Sequence, residues 1–136
     1  MNFEPWIILG VLAVLIVAFG LYVLFYRKQR LSAREIQKIQ HMWLEIEHIA
    51  DQHPEQAILK ADKLLDHALK GAGFSGTMGE KLKKARAVFR DNDGIWSAHK
   101  LRNRIAHEID VKVSATQAQI SLKNFKKALF DLGVRL

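Results

Sequence analysis

The sequence contains no cysteine. Disulfides and thiolate zinc sites are therefore excluded, and the chain is compatible with a reducing compartment, although this absence does not establish one. Charge is also scarce at one end. The first twenty-six residues hold a single charged side chain, Glu4, and every lysine and arginine lies beyond them. No internal repeat and no low-complexity tract is present.

What remains is a chain of 136 residues with a formal net charge of +7, all of its basic residues in the later part. It reads as two parts joined together. Residues 6–26, WIILGVLAVLIVAFGLYVLFY, carry no charge, and at about 1.5 Å rise per residue they make about 31 Å of helix, the thickness of a hydrocarbon core. A cleaved signal peptide would need a basic start, a shorter apolar run and small residues at its end, whereas this run ends in Phe25-Tyr26-Arg27. A core helix of a soluble domain would leave one face wet. The pattern predicts a membrane-spanning helix over residues 6–26 with its partner the lipid bilayer, preceded by a short extracytoplasmic segment at residues 1–5. Arg27, Lys28, Arg30 and Arg34 follow the span at once, so the positive-inside rule places the C-terminal part in the cytoplasm, behind a basic juxtamembrane segment at residues 27–31. The expected location is the inner (plasma) membrane, crossed once, with the N-terminus outside. Trp6, Tyr22 and Tyr26 suit the two interfaces.

Residues 32–136 are enough for one small helical core. Ser32 and Glu35 read as a capping box, opening a helix whose stripe is Ile36, Ile39, Trp43, Ile46 and Ala50. After a break at Asp51 to Pro54, a second helix has the face Ala57, Ile58, Ala61, Leu64, Leu65, Ala68 and Leu69, with Gly71 as its stop. The glycines from Gly71 to Gly76 match a dinucleotide-binding spacing, but they follow a helix with no strand pattern before them and so read as a loop. A short helix is expected from Gly79 to about Phe89, with Leu82, Ala85, Val88 and Phe89 inward and Lys81, Lys83, Lys84 and Arg86 outward. Two more follow, one from about Gly94 to Ile109 and one from near Ser114, where Gln117 completes a capping box, to Gly133. The fold class expected is all-α: one transmembrane helix followed by an antiparallel four- to five-helix bundle.

The segment from Trp96 to Glu108 carries the chemistry. Winding it at about 100° per residue places Ile95, Ala98, Leu101, Ile105, Ala106 and Ile109 on one apolar arc, with Arg102 inside it. A core-facing guanidinium is costly unless paired or opened to a cleft, and Glu45 and Glu47 are the acids considered for it. Trp96, His99, Asn103 and His107 form a polar row along the neighbouring edge, leaving Lys100, Arg104 and Glu108 to face water.

Arg102-Asn103-Arg104-Ile105-Ala106-His107 resembles the signature of the HEPN superfamily of small helical bundles: an arginine, commonly followed by a polar residue, then a histidine four to six residues on. The lead-in helices, the Gly71–Gly79 loop and the final amphipathic helix extend the resemblance over most of the region after Ser32. In catalytic members it implies a metal-independent endoribonuclease with no cofactor, often acting across a homodimer. His107 would then be the acid/base, Arg102 the clamp on phosphate and transition state, and Asn103 the group that orients one of them. Imidazole titrates near neutral pH and guanidinium matches phosphate oxygens, so the chemistry is self-consistent. The function expected is a membrane-anchored cytosolic domain binding RNA or nucleotide with this activity. The alternative is a non-catalytic protein-interaction or scaffold module at the inner membrane, in which the same residues tie helices together.

Weaker features are His41 and His48, two turns apart and without a carboxylate ligand pattern, which read as surface residues rather than a metal site. The basic segments Lys81–Arg90, Lys100–Arg104 and Lys123–Lys127 permit contact with RNA or a membrane surface without requiring either.

Overall fold

The structure is a computed structural model. It describes residues 5–28 and 30–136, with side chains described at 5–24 and 30–136. Glu4, Arg27 and Lys28, which bear on orientation, and the anchor Tyr26 lie outside the described side chains, as does the terminal segment 1–4. Among the described residues there are six helices and no strand.

The first, α1 (Pro5–Lys28), is long and apolar enough to cross a membrane. None of its apolar window is buried against the rest of the chain. Such a surface costs free energy in water at every exposed side chain, which separates it from a core helix of similar composition.

The bundle begins with α2 (Ala33–Ile49), where Ser32 Oγ accepts from the Glu35 amide at 3.2 Å. Only half of the expected capping box forms, because the Glu35 carboxylate turns to His67 Nε2 at 2.9 Å. Ile39, Trp43 and Ile46 are buried, with Ile36 and Ala50 packed at the margin. Pro54 opens α3 (Pro54–Gly71) at a position where its missing amide hydrogen costs nothing. Its whole expected face is buried. The left-handed residue that ends it is Gly73 (φ 96°), two positions beyond the expected Gly71. There the Phe74 amide donates to Leu69 O and the Gly73 amide to Lys70 O, satisfying the last carbonyls in a Schellman arrangement.

Thr77 and Glu80 form a reciprocal capping box that starts α4 (Met78–Lys84), a cap absent from the sequence reading. Leu82, Ala85 and Phe89 face inward as expected. Lys81 does not face outward: its stem is buried and its Nζ donates to Asp66 at 2.7 Å. The next helix, α5 (Asn92–His107), is capped by Asp91, which accepts from the Gly94 amide at 2.8 Å. It stops two residues short of the arc read from the sequence. Ile95 and Ala98 are buried and Leu101 and Ile105 partly so, whereas Ala106 is exposed and Ile109 is 92% exposed. Asp110 takes a left-handed conformation (φ 61°) just after it. Ser114 and Gln117 cap α6 (Ala115–Asp131) as expected, and Gly133 (φ 93°) ends it with Val134 folded onto the core.

The hub is α3, which packs against α2, α4, α5 and α6, while α5 also packs on α6. The core is built from Ile58, Leu64, Leu65, Leu69, Leu82, Ile95, Phe125 and Leu129, all essentially excluded from solvent. Four polar contacts order the ends. Glu35–His67 joins the start of α2 to the last third of α3, and Gln40 donates to Arg135 O after α6 at 2.6 Å. At the opposite end the Val113 amide donates to Glu55 at 3.4 Å, while Asn124 of α6 reaches Gly94 O, in the first turn of α5, at 3.1 Å. The start of α2, where the apolar helix is joined on, therefore shares its end of the bundle with the end of α3, and the C-terminus of α5 lies at the far end.

Candidate functional site

The residues singled out on α5 meet a partner that the sequence reading missed. Asp62 lies on α3 four residues after Ile58 and three before Leu65, within the buried face, and is only 3% exposed. An isolated carboxylate there would be expensive, and the price falls once donors surround it. His99 supplies one donor, with Nδ1 at 2.7 Å from Asp62 Oδ1. Arg102 supplies the counter-charge, with Nε at 3.2 Å from Oδ2. That nitrogen is buried, and its geometry does not make an aligned hydrogen bond, so the contact is an ion pair rather than a directed bond.

Asn103 closes the network. Its Oδ1 accepts from Arg102 Nη1 at 3.1 Å, which fixes the amide orientation and turns Nδ2 toward His99 Nε2 at 3.2 Å. Nε2 is thus the acceptor, and Nδ1 carries the proton donated to Asp62. Trp96 packs edge-on to the His99 ring, with centroids 6.0 Å apart. Two members of the polar row, His99 and Asn103, therefore join Asp62 and Arg102 in a chain, Asp62–His99–Asn103–Arg102, that runs from buried to part-exposed at the seam between α3 and α5.

The three site residues differ in accessibility. The Arg102 side chain keeps 31% of its surface, so its guanidinium is anchored at Nε and open beyond. Asn103 is half-buried. His107, one turn after Asn103, is exposed at the helix end and outside the network. Arg102 and His107 are five residues apart, so they project about 140° apart around the helix axis. Arg104 pairs with Glu108 at 3.3 Å on the wet face.

Glu45 and Glu47, the acids considered for Arg102, are engaged elsewhere. Glu45 lies 3.5 Å from His41. Glu47 accepts from Lys126 Nζ at 2.8 Å and from Trp43 Nε1 at 2.7 Å, and the Lys126 bond chiefly holds its carboxyl below the usual range. Among the described residues no three His, Asp or Glu side chains gather in a way that could hold a metal ion. The signal that could have exposed Asp62 was the winding argument that flagged Arg102: one charged residue inside the apolar arc of each of two helices.

Against family models, curated proteins and solved structures, the chain finds no match.

Proposed function

We propose that this chain is a membrane-anchored, HEPN-like module: α1 spans the inner membrane with the N-terminus outside, and α2 to α6 form an antiparallel bundle in the cytoplasm that binds RNA or nucleotide phosphate and cleaves RNA without a metal. The observation that carries the reading is the half-open arginine. Arg102 is held at Nε by a buried carboxylate and at Nη1 by Asn103, yet it keeps part of its guanidinium in water. A clamp built this way meets phosphate without first being ordered, which lowers the cost of binding.

In this reading the outer edge of Arg102 neutralises a phosphodiester oxygen as charge builds there, the interaction that stabilises the transition state. His107, exposed at the end of α5, takes the proton from a 2'-hydroxyl and later returns one to the leaving oxygen. Asn103 positions Arg102, and Asp62 with His99 positions Asn103. The network lies partway along α3 and α5, with His107 at the end of the bundle opposite the tether. A second copy would bring a second arginine and histidine to the same substrate.

The alternative is a non-catalytic interaction or scaffold module at the membrane. It is favoured by a specific feature: Asp62, His99 and Asn103 spend their polar groups on one another, tying α3 to α5. The test is cleavage of a single-stranded RNA by the full chain in lipid discs with chelator present. The proposed function expects cleavage that His107→Ala abolishes with the melting temperature unchanged, since an exposed histidine outside the network contributes within about 0.5 kcal/mol. Neither cleavage nor RNA binding by the wild-type chain would establish the scaffold reading instead.

A further inference from the structure

A groove of about 290 Å³ runs between α2 and α3 on the side away from the Arg102 network. Its walls carry Lys38 from α2 and Lys60 and Lys63 from α3, with Met42 and Leu64 among the apolar residues beneath them. None of the three lysines has an ion-pair partner among the described residues. Of the acids nearby, Glu35 lies against His67 and Asp66 pairs with Lys81, while Glu45 is in the groove lining itself, 3.5 Å from His41. Three ammonium groups against one carboxylate leave the concavity with a positive surplus, and an anion relieves the repulsion among them.

The position of the groove identifies the anion. Leu31 packs on Gly71, where an added Cβ would meet Leu31 Cδ2 at 2.8 Å, and Glu35 touches His67. The groove therefore opens from the tethered end of the bundle. Only residues 29 and 30 separate α1 from Leu31, a reach of at most about 11 Å, and Lys38 lies about 8 Å along α2 from its first residue. Arg30, Arg34 and Lys70 add exposed positive charge at the same end. Farther along, the groove ends at Glu45 and Ile46, and the far end of the helix pair carries Asp51 and Glu55. A nucleic-acid strand would need cations continuing along its path, and these acids interrupt it.

We propose that this groove receives the headgroup of an anionic phospholipid, with Lys38, Lys60 and Lys63 on the phosphate and Met42 and Leu64 beneath the glycerol. Docking in this way fixes the tilt of the bundle on the bilayer and presents the far end to the cytoplasm. It rests on the reading that α1 is inserted.

The test uses the full chain in discs of phosphatidylcholine, alone or doped with phosphatidylglycerol, read by amide hydrogen exchange over residues 33–46 and 58–68. Exchange there is expected to slow in the doped discs, with each lysine worth roughly fivefold in lipid preference, and to weaken with salt. The variant Lys38→Gln/Lys60→Gln/Lys63→Gln should lose the effect, and Lys83→Gln/Lys112→Gln/Lys123→Gln, away from the groove, should keep it. Equal exchange in the two discs overturns the proposal without reference to any variant. So does equal loss in both triple variants, protection by inorganic phosphate alone in phosphatidylcholine discs, or protection by an oligonucleotide but not by the lipid. Flotation separates the two failures: chain lost from the discs overturns membrane insertion and docking together, while retained chain with no lipid effect overturns docking alone.

Discussion

Asp62 on α3 and Arg102 on α5 form an ion pair, Oδ2 to Nε at 3.2 Å, across the seam between the two helices. Each is a charged residue placed within an apolar helical face, and each accounts for the other. Asp62 is almost wholly buried while Arg102 keeps an open edge, so the pair is asymmetric: the carboxylate depends on the arginine more than the arginine depends on the carboxylate.

That asymmetry predicts unequal costs. Arg102→Ala leaves the buried Asp62 carboxylate without its counter-charge, and a loss of about 2–3 kcal/mol is expected, with Asp62→Ala nearer 1–2 because solvent screens the open part of the Arg102 left behind. Denaturant unfolding of the full chain in detergent checks this, and the double variant should fall short of the sum by about 0.5–2 kcal/mol. Strict additivity would mean the pair is energetically idle.

The core predicts a sharper contrast. Phe125 is fully buried against α3, and Phe125→Ala should cost about 3–5 kcal/mol through lost transfer energy and the cavity left behind. Ile109, exposed past the end of α5, should tolerate Ile109→Ser within about 0.5 kcal/mol. Thermal unfolding by circular dichroism orders the two, and a large loss at Ile109 would mean a partner covers it.

Three surface carboxylates set the acid limb. Glu47 is held below its ordinary 4.5 chiefly by Lys126, Glu80 below 4.5 by the Thr77 amide, and Asp91 below 3.8 by the Gly94 amide. A folded-state value below the unfolded one contributes stability that is present above the unfolded value and lost as pH falls through the folded one. Melting temperature should therefore fall as pH drops below about 4.5, and Glu47→Gln/Glu80→Gln/Asp91→Asn should flatten that fall while lowering the melting temperature at neutral pH. An identical acid limb in the variant would contradict this.

Much of the bundle was legible because its signals are local. The α3 face, the α2 stripe, the Ser114 cap and the Gly133 stop each follow from spacing within one helix. What failed depended on a neighbour. Lys81 reads as solvent-facing until Asp66 is placed beside it, and the Glu35 carboxylate leaves its cap for His67. Gly73 rather than Gly71 takes the left-handed turn, because Gly71 is still helical where Leu31 crowds it. At the candidate site, Arg102 stood out as a charge in an apolar arc, but its partner did not. Glu45 and Glu47 are nearer the sequence pattern of a surface pair, and Asp62 lies among aliphatic residues that drew attention to the face rather than to the charge within it.

The proposed function requires α1 to span the bilayer and the bundle to lie in the cytoplasm. The absence of native cysteine makes a single introduced thiol a clean reporter, and Thr116→Cys on the exposed start of α6 places one in the bundle. Intact cells treated with a membrane-impermeant maleimide should leave that thiol unlabelled, with labelling only after permeabilisation and the chain recovered in the membrane fraction. Labelling of intact cells, or recovery of the chain in the soluble fraction, would contradict the account.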